Sequence, residues 1–147
     1  MRRGFVLAPA VVLVALAAGP RAQEKSRAEQ AAADWLYPGA KVTSAGSSGD
    51  LSQVAQETAD GVSKVLKHYG DKAGVKLEEA GGTSGSGDAP GLGLVQHTHT
   101  GLKPDKVGGA GSVSTFHTKA AVVTVVVTRP KGGKVTTVVV SHLPLAR

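Results

Sequence analysis

The stretch "AAVVTVVVTRPKGGKVTTVVVSH", residues 120–142, decides the fold. Two runs of β-branched residues flank Arg129-Pro130-Lys131-Gly132-Gly133. Proline presets a turn dihedral and glycine supplies positive φ, so the segment reads as a β-hairpin. Side chains alternate along a strand. Val123, Val125 and Val127 therefore share one face, and Val122, Thr124, Val126 and Thr128 the other. In the second run Val138 and Val140 share a face, opposite Val135, Thr137 and Val139. Burying each valine contributes about 1.5–2 kcal/mol, so one valine face needs a cover.

A candidate cover lies upstream, in "ADGVSKVLKHYGDKAGVKL". Val62, Val65, Leu66 and Tyr69 fall at i, i+3, i+4 and i+7 and form one apolar helical stripe. Asp60 stands where a carboxylate can cap the helix by accepting a backbone N–H. Lys72 complements the dipole in the last turn, and Gly74 suits the left-handed residue beyond it. Gly70 is expected to weaken that turn. "AKVTSAG", "LSQVAQET", "GLVQHTHTG" and "SVSTFHTK" read as further strands. The expected fold is α+β, one main helix packed on an antiparallel sheet of about five or six strands. "EEAGGTSGSGDAPGLG" (78–93) and "GLKPDKVGGAGS" (101–112) read as loops by composition.

The chain opens with "MRRGFVLAPAVVLVALAAGPRAQ". Arg2 and Arg3 precede an apolar run from Phe5 to Ala18, whose end holds the small-residue pattern Ala15-Leu16-Ala17, with Ala22 a second candidate cleavage site beyond it. That is the pattern of a signal peptide, and the run is short of the roughly 20 residues a membrane span needs. The expected organisation is a signal peptide at 1–22, a helical or flexible arm at 23–37 and a single α+β domain at 38–147. The arm, "QEKSRAEQAAADWLY", is rich in helix formers and stops at Pro38-Gly39, with Trp35 and Tyr37 placed to dock onto the domain. Cleavage would leave the chain exported, periplasmic or extracellular, without a stable membrane anchor.

Composition narrows the chemistry. The 147 residues include no cysteine, which excludes disulfides, thiolate metal sites and lipidation through cysteine. Aromatic content is 3%, so the core must be mostly Val, Ala and Leu. The formal charge of +6 includes Arg2, Arg3 and Arg21, and no basic cluster follows them. A nucleic-acid partner is not expected.

Tyr37-Pro38-Gly39-Ala40, then Thr58, Asp60, Val65 and Tyr69, then the valine hairpin, resemble small exported bacterial proteins of uncharacterised function. The resemblance implies a single helix on an antiparallel sheet and no activity.

The candidate metal ligands are His97, His99 and His117. His97 and His99 share a strand face, and imidazoles so spaced can chelate Zn²⁺ or Cu²⁺. If the strand carrying His117 pairs alongside, it supplies a third ligand and leaves an open position. The other reading is that the histidines are polar positions on a wet face, since Thr98 and Thr100 alternate with them and neither strand carries a carboxylate. His68 and His142 are isolated. "GGTSGSG" misses G-x-S-x-G by one residue, and "GSGDAPG" misses G-x-G-x-x-G. Glu78 and Glu79 are adjacent and do not converge as an acid–base pair would. No catalytic residue and no cofactor are expected. The sequence reads as an exported, non-enzymatic binding or envelope-associated accessory domain whose partner, such as another envelope protein, it does not name. A periplasmic metal binder is the alternative, and the sheet edge or the Trp35/Tyr37 segment is a third route to a partner.

Overall fold

The computed structural model describes residues 25–102 and 109–146. The expected signal peptide lies outside them, as do residues 103–108 of the second expected loop. A five-residue helix α1 (Arg27–Ala31) and a 3-10 turn (Ala33–Trp35) lead into the hairpin β1 (Lys41–Ser48) and β2 (Leu51–Thr58). Helix α2 (Val62–Ala73) follows, then β3 (Gly81–Ala89), β4 (Gly93–Leu102), β5 (Ala110–His117), β6 (Ala121–Arg129) and β7 (Thr136–Pro144). One seven-stranded sheet results, in the order β1-β2-β7-β6-β5-β4-β3. Every neighbouring pair is antiparallel. The expected hairpin, β6 and β7, lies inside the sheet, and β7 pairs with β2 through Val140 opposite Val54.

The sheet has seven strands rather than five or six because the 78–93 segment contains β3. Its glycines suggested a loop, yet Gly87 serves a close backbone approach. The chain leaving α2 passes over β3 and β4. A Cβ on Gly87 would stand 2.5 Å from the Gly74 carbonyl oxygen and 2.8 Å from that of Ala73. On Gly101 it would stand 2.6 Å from the carbonyl oxygen of Glu78. Glycine inside a strand is the residue such an approach requires.

The valine face is covered as the periodicity predicts. Val123, Val125 and Val127, with Val138 and Val140, are buried together with Val65, Leu66 and Tyr69 of α2. The arm belongs to the same core. Ala28, Ala32, Trp35 and Tyr37 are buried, and the Trp35 ring stacks on Phe116 of β5 at 5.2 Å. The Tyr69 hydroxyl donates to the Trp35 carbonyl at 2.8 Å and ties the two helical pieces together. Buried Gln56 of β2 holds the Tyr37 backbone twice, accepting its N–H at 2.8 Å and donating to its carbonyl at 3.3 Å. A capping box closes the start of α1: Ser26 accepts from the Glu29 N–H and the Glu29 carboxylate accepts from that of Ser26.

Local details of α2 differ from expectation. Gly61, not Asp60, is its N-cap, and no side chain caps it. The Asp60 carboxylate instead accepts from the Tyr37 hydroxyl at 2.8 Å and from Lys64 at 2.9 Å, which hold its pKa down, Lys64 first. Gly74 does adopt the left-handed conformation, at φ 68°. Gly70 is more than a weak point, since a Cβ there would lie 2.7 Å from the Val75 carbonyl oxygen as the chain reverses.

Gly87→Ala is expected to cost about 1–3 kcal/mol by forcing the crossing chain off the sheet. Gly46→Ala, where a Cβ meets nothing within 4 Å, should stay within about 0.5 kcal/mol of the parent. Urea denaturation of both variants reads the difference. A second expectation concerns alkaline pH. Burial is the main cause pushing both phenols up, Tyr37 to about 12 with the help of Asp60, and Tyr69 in the same direction. Each folded pKa exceeds the unfolded value near 10. Their contribution is complete below pH 10 and is lost as pH rises through the folded values. Tyrosinate absorbance should therefore be absent from the folded protein at pH 10.5 and rise together with unfolding at higher pH.

Candidate functional site

Alternation along β4 turns Val95, His97, His99 and Gly101 toward the helices and leaves Gln96, Thr98 and Thr100 exposed. The expected pairing of β4 with β5 is present, but its register sets His97 opposite Phe116 and His117 opposite Gln96. His117 thus lies on the other face of the sheet from His97 and His99. The three imidazoles do not converge on one ion, because side chains one position apart along β5 take opposite faces. Among the described residues no group of three or more His, Cys, Asp or Glu could hold a metal.

His99 is held from both sides. Its Nδ1 lies 2.7 Å from the Ser114 hydroxyl oxygen and its Nε2 lies 2.6 Å from the Glu78 carbonyl oxygen. A carbonyl only accepts, which assigns the proton to Nε2 and makes Nδ1 the acceptor of the Ser114 O–H. Neither nitrogen retains a lone pair for an ion. The same contact pairs a serine with a histidine, yet Ser114 is 1% and His99 2% exposed, beneath the chain that leaves α2. The pair pins that chain to the sheet and is closed to a substrate. His97 is also buried, against Gly85 of β3, and its Nδ1 has no partner among the described residues.

The remaining reactive side chains are dispersed. Ser84 of the near-miss "GGTSGSG" motif sits on an extended edge strand, without the sharp turn a nucleophile needs. Glu78 pairs with Lys76 at 3.0 Å, and Glu79 accepts from the Ser63 hydroxyl. His68 packs edgewise against Tyr37 and Tyr69, where burial lowers its pKa. Burial does the same to His142 on β7. Arg129 donates to the Asp60 carbonyl at 3.2 Å and Thr136 to the same oxygen at 2.6 Å, fastening the start of α2 to the hairpin. Trp35 and Tyr37, expected as a docking segment for a partner, are buried in this chain's own core.

Among the described residues, what stays available is the sheet face turned away from the helices. Three cross-strand rungs cross its middle. One runs through Ala55, Val139, Val126, Val113 and Thr100. The next runs through Gln53, Ser141, Thr124, Thr115 and Thr98, and the third through Leu143, Val122, His117 and Gln96. At the edges β1 and β3 add Ser, Gly and more Ser. None of the three rungs carries Lys, Arg, Asp or Glu. Leu51, Leu94, Leu102, Val113 and Leu143, all with side chains on this face, are among the large exposed hydrophobics. The hairpin sequence already carried the signal, since Val122, Val126 and Val139 alternate with the core valines on what would otherwise be a polar face.

His99→Ala should cost about 2–4 kcal/mol in urea denaturation, from the cavity and from the stranded Ser114 and Glu78 groups. His117→Ala, on the open face, should change stability by less than about 0.5 kcal/mol. Equal effects would contradict the placement of these rings on opposite faces.

No family model matches this sequence. No curated protein matches it. No solved structure matches it either.

Proposed function

We propose that this chain is an exported, non-enzymatic binding domain that makes its contact through the open face of the sheet. One observation carries the reading: a seven-stranded sheet is covered by helices on one side and presents uncharged, partly apolar rungs on the other. An antiparallel sheet can turn one face to water, and it then alternates apolar inside with polar outside. Val113, Val126 and Val139 in cross-strand register depart from that alternation. A contiguous apolar patch on a surface marks a contact site.

The chemistry available supports binding over turnover. Ser114 and His99 are spent on holding the fold, and the carboxylates are paired or dispersed. The export part of the proposal rests on the sequence of residues 1–22. With it goes an accessory role in the periplasm or outside the cell.

A photo-crosslinking amino acid at position 126, with a control at Lys67 on the exposed side of α2, tests the reading in the cells that make the protein. Discrete adducts from position 126 and none from position 67 are expected. No adduct from 126, or the same adducts from both, would refute it.

A further inference from the structure

We infer that the occupant of the open face is a second copy of this chain, packed sheet against sheet about a two-fold axis. This inference rests on the proposed reading of that face as a contact surface. Area is the first argument. Seven strands about 4.8 Å apart, crossed by three rungs each two residues of about 3.4 Å deep, make a patch of about 34 by 20 Å. Two such patches in contact bury about 1,400 Å², within the range of about 1,200–2,000 Å² that stable complexes bury.

Chemical self-complementarity is the second argument. A two-fold axis sets a patch against itself, so a charge near the axis meets its like. The three rungs contain no formal charge to oppose itself. The nearest charges on this face stand beyond them, Lys41 opposite Glu57 at one end and Asp88 opposite Leu94 at the other. An uncharged centre with charges at the margin is the anatomy of a protein interface. A partner recognised by charge would find nothing to hold in the middle of the patch.

The polar rung is the third argument. Covering hydroxyls and amides costs free energy unless they are hydrogen-bonded. Here Gln53 donates to Ser141 at 3.2 Å, and the Thr115 and Thr124 hydroxyls bond each other at 3.3 Å. Part of that rung's hydrogen bonding is met within one copy, which lowers the cost of covering it with an opposing sheet. The β1 edge is a poorer place for association. β1 carries a bulge between Val42 and Ser44, which bends an edge away from strand addition.

Sedimentation equilibrium of the chain isolated from its producing cells tests the inference. The parent should be dimeric at about 100 µM. Val126→Glu and Thr124→Lys, each placing like charges across the axis, should weaken the dimer at least about 100-fold. Lys67→Glu, on the helical side, should leave it unchanged, and thermal melts should show all three variants folded. Both positions are half-buried and point away from the core in one copy, and two independent variants guard against loss through misfolding. A monomeric parent at that concentration would overturn the inference, as would a dimer indifferent to both open-face changes. A monomeric parent whose position 126 still crosslinks a different protein would overturn the second copy alone and leave the contact reading standing. Loss of both signals would remove both.

Discussion

The Tyr69 hydroxyl, 2.8 Å from the Trp35 carbonyl, joins the two helical pieces that cover the sheet. Beneath them lie the inner valines of β6 and β7 and Phe116 of β5, against which Trp35 stacks. With aromatic residues at 3% of the chain, there are few large side chains to span the gap between helix and sheet. Tyr69, Trp35, Tyr37 and Phe116 all go there. The packing also explains why the arm is part of the domain. Remove Ala28, Ala32 and Trp35, and the β1–β2 side of the covered face loses its lid, since α2 reaches mainly toward β3, β5 and β6. Among the described residues, both helical pieces lie on this one face and none covers the other.

Much of this was legible in the sequence. The inner valines of β6 and β7 recur at every second residue, and the α2 stripe has a period near 3.6. Both patterns are dictated by burial, and burial is what formed these elements. The C-terminal glycine of α2 was legible for a similar reason, because only a left-handed residue ends a helix in that way. β3 was not legible. Its Gly87, like Gly101 of β4, answers to a chain crossing above the sheet, a contact between residues 73–79 and 87–101 that no local window contains. Composition alone cannot separate glycine needed for approach from glycine needed for a turn.

The histidines show the same division. The spacing of His97 and His99 placed both on one face correctly. It could not say that the face is the buried one, nor that His117 stands on the far side. Those facts depend on the β4–β5 register, which is set by Phe116 seeking the core. Asp60 is a parallel case. The sequence made it a helix cap, whereas Tyr37, brought from 23 residues away, claims its carboxylate. The open face was visible only as valines on the second side of a hairpin, and its extent required the full seven-strand order.

The pairing of β2 with β7 also fixes when the molecule can assemble. Residues 52–58 find their neighbour only at 136–142, so the N-terminal hairpin stays unanchored on one side until the last strand exists. Contacts so distant along the chain make folding slow and late. The β1–β2 hairpin is therefore among the last parts of the sheet to be fixed, and loss of residues 136–142 would leave the inner edge of β2 unpaired.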